Sequence, residues 1–204
     1  MNQILFNKIN KKNLKIFKIQ FLISLILIIA FIMYQLYLLY NLRKKENYSK
    51  NLLNSFNIET LYSSENSSYN IIELNNDFSV IGIIEIPKIK IKYPILSNVN
   101  DEFLKISACR FYGPYPNKIG NLCIAAHNYD DNRFFGNLYK LNINDEIKIY
   151  DSSNNCISYY VYDKFESLIN DTSCTSQNTN GKKEITLVTC NNINKKRIIV
   201  KAKE

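Results

Sequence analysis

The hydropathy pattern begins with one long apolar segment near the N-terminus. It runs from Phe21 to Tyr40 without a charged residue and with a single amide, Gln35. At about 1.5 Å of rise per residue, a helix of this length spans roughly 30 Å, which is the thickness of the hydrocarbon core of a bilayer. The pattern therefore predicts a transmembrane anchor over residues 19–40.

The residues around this segment distinguish a retained anchor from a cleaved signal peptide. A signal peptide has a shorter apolar core, followed by small residues at the cleavage position. Here Asn41 and a basic cluster at 43–45 follow instead, which favours an uncleaved anchor. Five lysines precede the segment and three basic residues follow it, so the positive-inside bias slightly favours a cytoplasmic basic tail at residues 1–18. We expect a single-pass protein of the cell membrane with its folded domain outside the cell.

Beyond the anchor, the pattern changes twice. Residues 41–78 are polar and rich in Asn and Ser, which is typical of a stalk. Residues 79–204 contain many short runs rich in β-branched residues, and residues 89–93 alternate apolar and charged positions as a half-buried strand does. Short strands separated by turns predict an all-β domain, either a closed barrel or a sandwich. We predict strands at 80–86, 89–93, 122–126, 146–150, 158–163, 184–190 and 197–202, and short helices at 101–107 and 133–141.

The distribution of charge argues against binding to nucleic acid. The net charge of +8 comes from residues 1–50, which contain nine basic residues and one acidic residue. The rest of the chain has equal numbers of basic and acidic residues, so the folded domain has no basic footprint for a phosphate backbone. The positive charge belongs to the flanks of the anchor.

The cysteine count leaves at least one free thiol. Five cysteines cannot all pair within one chain, and there is no C-x-x-C motif. The chain has a single histidine, which argues against a zinc site made of Cys and His. The unpaired thiol is either buried and inert or reactive.

Three residues at predicted strand ends are the candidate chemical groups. Cys190 ends the strand at 184–190, His127 follows the strand at 122–126, and Arg197 opens the last strand. A thiol nucleophile needs a partner that stabilises the thiolate or takes its proton, and His127 is the one histidine available. Each residue also has an ordinary structural interpretation, as a buried strand cysteine, a surface-bonded histidine and a solvated turn arginine.

The run Thr-Leu-Val-Thr-Cys at 186–190 resembles the Thr-Leu-x-Thr-Cys signature of bacterial sortases. An Arg on the following strand, Arg197, is similar to the third member of the sortase site, and His127 is similar to its histidine. The Gly-Ile-Ile-Glu-Ile-Pro run at 82–87 and the Gly-Asn-Leu at 120–122 also resemble the family. The likeness extends over residues 80–203.

This resemblance implies an eight-stranded sortase-type β-barrel at residues 79–204 and a cysteine transpeptidase activity. Cys190 would attack the Thr carbonyl of a C-terminal sorting motif such as Leu-Pro-x-Thr-Gly in a secreted protein. His127 would protonate the leaving amine, and Arg197 would stabilise the oxyanion or hold the substrate. The thioester would pass to an amine of a cell-wall precursor or a pilin. We expect no cofactor and no metal.

The sequence departs from the common sortase pattern at two points. Only six residues separate Cys190 from Arg197, which is short for the family, and Ala126 stands where many relatives have Gly before the histidine. The subclass and the sorting motif are therefore open, and a class D-like member is one candidate.

Two other functions are compatible with an anchored β-domain. One is a non-catalytic domain in the cell envelope, for which the Cys, His and Arg residues would be coincidental. The other keeps the nucleophile but uses water as the acceptor, which would make the protein a thiol protease.

Overall fold

The computed structural model describes the backbone of residues 2–63, 72–73, 78–191 and 193–204, and the side chains of residues 14–56, 78–191 and 193–204. Within this description the chain forms two compact units, Met1–Lys44 and Lys45–Glu204. Most of the second half of the predicted stalk, residues 64–71 and 74–77, lies outside the described residues.

The N-terminal part of the chain is one helix, α1, which runs from Asn2 to Ser63. It contains a segment that is long and apolar enough to cross a membrane, within Leu14–Phe56. The side chains at 14–40 are exposed, as expected of a helix face that contacts lipid rather than protein. The polar residues 41–63, which we expected to form a stalk, continue the same helix.

The second unit is a closed β-barrel. Its strands are β1 (Ile72–Glu73), β2 (Ser79–Ile86), β3 (Ile91–Leu96), β4 (Ala108–Tyr112), β5 (Gly120–Ala125), β6 (Glu146–Asp151), β7 (Cys156–Ser167), β8 (Lys183–Asn191) and β9 (Lys196–Lys203). Eight of them follow one another around the barrel in the order β2, β3, β4, β5, β8, β9, β7 and β6, and β6 pairs back onto β2. A two-residue strand, β1, adds to the edge of β2. The pairs β3–β4 and β5–β8 are parallel, and the other neighbours are antiparallel. This confirms the predicted eight-stranded barrel.

The helical pieces of the barrel unit are short. The helix α2 spans Asp101–Leu104, and the side chain of Asn100 caps it by accepting a hydrogen bond from the backbone of Phe103. Three 3₁₀ turns lie at Pro87–Ile89, Leu138–Lys140 and Ser173–Thr175.

The predicted helix at 133–141 is wrong. Its apolar residues have helical spacing, but Asn132 and Phe134 have positive φ angles of 67° and 50°, which a right-handed helix excludes. Phe134 also pairs with Asn128 in an isolated β-bridge. The side chains of Phe134 and Phe135 are fully buried in the core. The chain therefore folds this segment into turns that bury both rings, at the expense of local helix geometry.

Three groups of buried side chains hold the barrel unit together, and the third, formed by Cys174, Val188 and Ile199, is described with the candidate site below. The largest one fills the interior of the barrel, with residues from β2 to β9. The second one lies outside the barrel, where Leu52 and Phe56 of α1 pack on Val80, Ile83 and Leu96 of the barrel wall. Leu52 and Phe56 are 2% and 1% exposed, so the end of α1 belongs to the folded domain.

Candidate active site

The three residues singled out in the sequence lie at one end of the barrel. Strands β5 and β8 are parallel neighbours with Ala125 opposite Val188, so His127 and Cys190 each follow two residues later. Strands β8 and β9 are antiparallel, and Cys190 is directly opposite Arg197. The fold thus brings together three residues that are up to 70 positions apart in the sequence.

The side chains of Cys190 and Arg197 belong to the outer face of the barrel. Val200 lies in the interior core, whereas Val188 and Ile199 pack in a separate outer cluster. Because every second residue of a strand has the same facing, Cys190 lies with Val188 and Arg197 lies with Ile199. Residues directly opposite in an antiparallel pair have Cβ atoms about 5 Å apart, so the thiol and the guanidinium share one surface. We call this surface, defined by these four outward residues, the catalytic face.

His127 borders the same face from β5. Ala126 points into the barrel core, so the next residue turns outward. The imidazole is half-buried, with its ring centroid 5.1 Å from that of Tyr129. The carbonyl oxygen of His127 accepts a hydrogen bond of 3.0 Å from the backbone of Phe135, which fixes the start of the following loop.

The surroundings of His127 favour its neutral form. Burial lowers the pKa of His127 from its ordinary value of 6.5, because a buried cation loses hydration. The carboxylate of Asp101 opposes this change, while the positive charges of Lys105 and Lys45 lower the pKa further. An uncharged imidazole can accept a proton from a thiol at neutral pH.

The accessibility of the five cysteines differs sharply. Cys190 and Cys156 are exposed, whereas Cys109, Cys123 and Cys174 are buried. Burial raises the pKa of Cys109 and of Cys123 to about 12, and it raises that of Cys174 as well. Cys156 starts β7 at the opposite end of the barrel from Arg197. Cys190 is therefore the exposed thiol that lies beside a histidine and an arginine.

Two hydrogen bonds fasten the strand ends that carry Cys190 and His127. The hydroxyl of Thr189, which is buried, donates to the carbonyl oxygen of Ala126 at 2.7 Å. The side-chain amide of Asn128 donates to the carbonyl oxygen of Cys190, also at 2.7 Å. Asn128 was not predicted from the sequence, where its position directly after His127 was the one signal of such a role. Each bond joins the strand of the thiol to the strand of the imidazole.

A long loop between β7 and β8, residues 168–182, covers one side of the catalytic face, and we call it the covering loop. It is held by Asn121, whose buried side chain donates to the carbonyl oxygens of Cys174 at 2.9 Å and Ser176 at 3.1 Å. The hydroxyl of Thr186 donates to Asn121 Oδ1 at 2.8 Å. The side chain of Gln177 completes the contact by bonding to both backbone groups of Asn121. These hydrogen bonds attach the covering loop to β5 and β8.

Apolar side chains lie under and beside the covering loop. Cys174 packs on Val188 and Ile199, so the loop is seated directly on the catalytic face. Two half-buried rings, Phe111 and Phe165, pack against these buried side chains and leave part of their apolar surface accessible. The result is an apolar surface next to Cys190 and Arg197.

A hollow of about 390 Å³ lies on the other side of the end of β8. Asn128 and Asn191 line it near the thiol, and Asp130 supplies a carboxylate. Aromatic and aliphatic side chains complete its wall, namely Tyr129, Tyr139, Ile193 and Ile198. Cys190 is thus flanked by an apolar surface on one side and a mixed polar hollow on the other.

This arrangement has the parts of an acyl-transfer site. It has an exposed thiol, a mainly neutral imidazole, and a guanidinium that can donate hydrogen bonds to an oxyanion. Across the part of the chain that the structure describes, no three His, Cys, Asp or Glu side chains gather closely enough to hold a metal ion.

The family model and the similar solved structures indicate the same family. The family model of the sortase domain matches residues 84–204, which is more than half of the chain. A search of curated proteins found no match.

Solved structures include several similar proteins. A sortase D5 transpeptidase of Clostridium perfringens is 31% identical, with a TM-score of 0.59 over 77% of this chain and 95% of that one. Sortase C of C. perfringens, solved with the C-terminal cell wall sorting motif, is 22% identical, with a TM-score of 0.56 over 76% of this chain and 88% of that one. Sortase A of Corynebacterium diphtheriae is 20% identical with the same TM-score, over 76% of this chain and 83% of that one. The last two similarities show the fold.

Proposed function

Because this chain belongs to the sortase family of cysteine transpeptidases, we propose that it cleaves a C-terminal sorting motif of secreted proteins and transfers the product to an amine. The observation that carries the assignment of residues is the meeting of Cys190, Arg197 and His127 on one outer face of the barrel. Cys190 is the nucleophile, His127 is the general acid and base, and Arg197 stabilises the oxyanion.

The first half of the reaction forms a thioester. Cys190 transfers its proton to the neutral imidazole of His127 and attacks the carbonyl carbon of the Thr in a motif such as Leu-Pro-x-Thr-Gly. The carbonyl oxygen becomes an oxyanion, which Arg197 meets with its fork of N–H donors. The C–N bond then breaks, and the imidazolium gives its proton to the leaving amine of Gly. The products are an acyl-enzyme and the released C-terminal peptide.

The second half transfers the acyl group. An amine of a cell-wall precursor or a pilin attacks the thioester carbon, and His127 removes a proton from the amine nitrogen. The C–S bond breaks, and the proton returns from His127 to the sulfur of Cys190. The lowered pKa of His127 suits this step, because a neutral imidazole is the form that accepts the proton.

The surroundings of the thiol support this kind of substrate. The half-buried rings of Phe111 and Phe165, which pack against the buried cluster of Cys174, Val188 and Ile199, suit the Leu and Pro side chains of such a motif. The apolar segment of α1 suits attachment to the membrane, with the barrel outside the cell where secreted proteins and cell-wall precursors are found.

A transpeptidation assay tests the proposal. The fragment 45–204 is incubated with a fluorescent sorting-motif peptide and an excess of a small amine, and the products are separated by mass. We expect an amide product that disappears in Cys190→Ala and His127→Ala and remains in Cys156→Ser, the matched variant at the other exposed thiol. Cleavage to the free acid alone, despite excess amine, would identify a protease, and no turnover of any motif peptide would oppose catalysis.

A further inference from the structure

The connection that joins Cys190 on β8 to Arg197 on β9 is held by the carboxylate of Glu166 on the neighbouring strand β7. Glu166, near the end of β7, lies opposite Ile198 in the β7–β9 pair, so its side chain stands beside the residues that join β8 to β9. Asn191 Nδ2 donates to Glu166 Oε1 at 2.5 Å, and Asn194 Nδ2 donates to Glu166 Oε2 at 2.9 Å. Lys196 Nζ lies 3.8 Å from the same Oε2.

The two asparagines pass this constraint on to the backbone of the connection. Asn191 Oδ1 accepts from the N–H of Ile193 at 3.0 Å, and Asn194 Oδ1 accepts from the N–H of Lys196 at 3.1 Å. A carboxylate only accepts hydrogen bonds, so it turns the NH₂ group of each asparagine toward itself and each amide oxygen toward the backbone. Glu166 thereby determines the orientation of both amides.

This network lies next to the two residues proposed to act in the reaction. Asn191 directly follows Cys190, and Lys196 directly precedes Arg197. The pair Asn191–Lys196 is also the last rung of the β8–β9 ladder, next to the rung formed by Cys190 and Arg197. Holding the outer rung limits the movement of the thiol relative to the guanidinium, because the two rungs share a continuous backbone.

We propose that Glu166 is a positioning residue for the nucleophile, which acts through Asn191 and Asn194 to keep Cys190 and Arg197 aligned during acyl transfer. The inference rests on the proposed function of Cys190 and Arg197. It assigns no contact between Glu166 and the substrate. The Glu166 carboxylate on β7 thus holds the short connection between Cys190 and Arg197 in one conformation.

The variant Glu166→Gln is the sharpest perturbation, because it keeps the shape and replaces one acceptor by a donor. One asparagine NH₂ group would then face another NH₂ group, and it must turn away and release its backbone N–H. In the full chain in detergent micelles, we expect kcat for transpeptidation to fall about tenfold while KM for the peptide changes little, as expected when alignment rather than binding is lost. The matched control is Asp163→Asn, which removes one exposed negative charge from the same strand.

A double variant distinguishes hydrogen bonding from charge. In Glu166→Gln with Asn191→Asp, the Gln NH₂ group donates to the new carboxylate, the Gln oxygen accepts from Asn194, and the second Asp oxygen accepts from Ile193. The pattern of donors and acceptors is restored, and we expect kcat to recover to within about threefold of the wild type. Asn191→Asp alone places two carboxylates together and should be impaired.

Alkylation of Cys190 by iodoacetamide supplies a readout that does not depend on the sorting motif. If Glu166 acted only through its charge, Glu166→Gln would speed the reaction at neutral pH, because removing a nearby negative charge favours the thiolate. We expect the alkylation rate to stay within about twofold while kcat falls. Unchanged kcat in Glu166→Gln, failure of the double variant to recover, or an equal loss in Asp163→Asn would each overturn the proposal. An inactive wild type with normal alkylation would instead count against the proposed function.

Discussion

The hydrogen bonds that attach the covering loop to Asn121 should affect both the stability of the barrel and the binding of the peptide. Asn121 donates two side-chain hydrogen bonds, to Cys174 and Ser176, and accepts one from Thr186. The variant Asn121→Asp keeps the acceptor and loses both donors, and it places a carboxylate against two carbonyl oxygens. The backbone bonds to Gln177 are unaffected by the change.

The size of the effect follows from these contacts. Each lost hydrogen bond costs about 1 kcal/mol net, and burying an acidic group beside carbonyl oxygens adds roughly 1–2 kcal/mol. We therefore expect a loss of about 3–4 kcal/mol in the free energy of unfolding, which a domain of ordinary stability survives. Burial should raise the pKa of the new carboxyl in the folded state above its unfolded value. The variant is then least destabilised at acidic pH, and stability is lost as the pH rises through the folded-state pKa.

A second asparagine provides the control. Asn117 also donates two side-chain bonds, to Ile149 and Asn155, and accepts one from Tyr159, but these partners lie on β6, on β7 and in the turn between them rather than in the covering loop. Urea unfolding should show a loss of stability in both Asn121→Asp and Asn117→Asp. The KM for the sorting-motif peptide should rise about tenfold only in Asn121→Asp, because the covering loop borders the catalytic face. An unchanged KM in that variant, or an equal rise in both, would refute a role of the loop in holding the peptide.

Three further predictions concern other parts of the unit. Thr189→Val removes the buried hydrogen bond from β8 to the carbonyl oxygen of Ala126. Urea unfolding should show a loss of about 1–2 kcal/mol in the free energy of unfolding, and kcat should fall. Wild-type values of both would contradict the role of this bond. NMR titration of the single histidine should give a pKa of His127 below 6.5, and this pKa should rise in Lys105→Gln. Because the pKa is lower in the folded state than in the unfolded state, the stability that neutral His127 contributes should be lost as the pH falls from 6.5 through the folded-state pKa. Phe56→Ala should cost about 3–5 kcal/mol in the unfolding of the barrel unit, whereas exposed Phe31→Ala should leave it unchanged; equal effects would mean that the end of α1 does not stabilise the barrel.

The sequence was informative wherever the signal was local. The apolar segment predicted a membrane-spanning helix from length alone, and the alternation and β-branched runs predicted seven strands that the structure contains with shifted ends. β4 was missed because its five residues, Ala108–Tyr112, include an arginine and show no alternation to distinguish them from a loop. Arg110 is accommodated there because its guanidinium donates to the carbonyl oxygen of Gly113. The sequence pattern does not predict this contact.

The candidate site shows the same division. A signature and two single residues were sufficient to name Cys190, His127 and Arg197, and their assigned roles stay predictions for the assays above. The positions of Asn128 and Glu166 were not predictable, because an asparagine in a loop and a glutamate near a strand end are ordinary exposed residues until their partners are known.

By itself, the sequence determined which segments are apolar, which alternate, and which residue types are available for chemistry, since these properties depend on neighbours along the chain. Only the tertiary structure decided that β5 and β8 run parallel side by side, which brings His127 next to Cys190. It also decided that 133–141 forms turns, because burying Phe134 and Phe135 in the closed barrel outweighs local helix propensity. The proximity of His127 to Cys190 and the conformation of 133–141 both depend on contacts between residues that are distant in the sequence. A pattern of neighbouring residues does not contain that information.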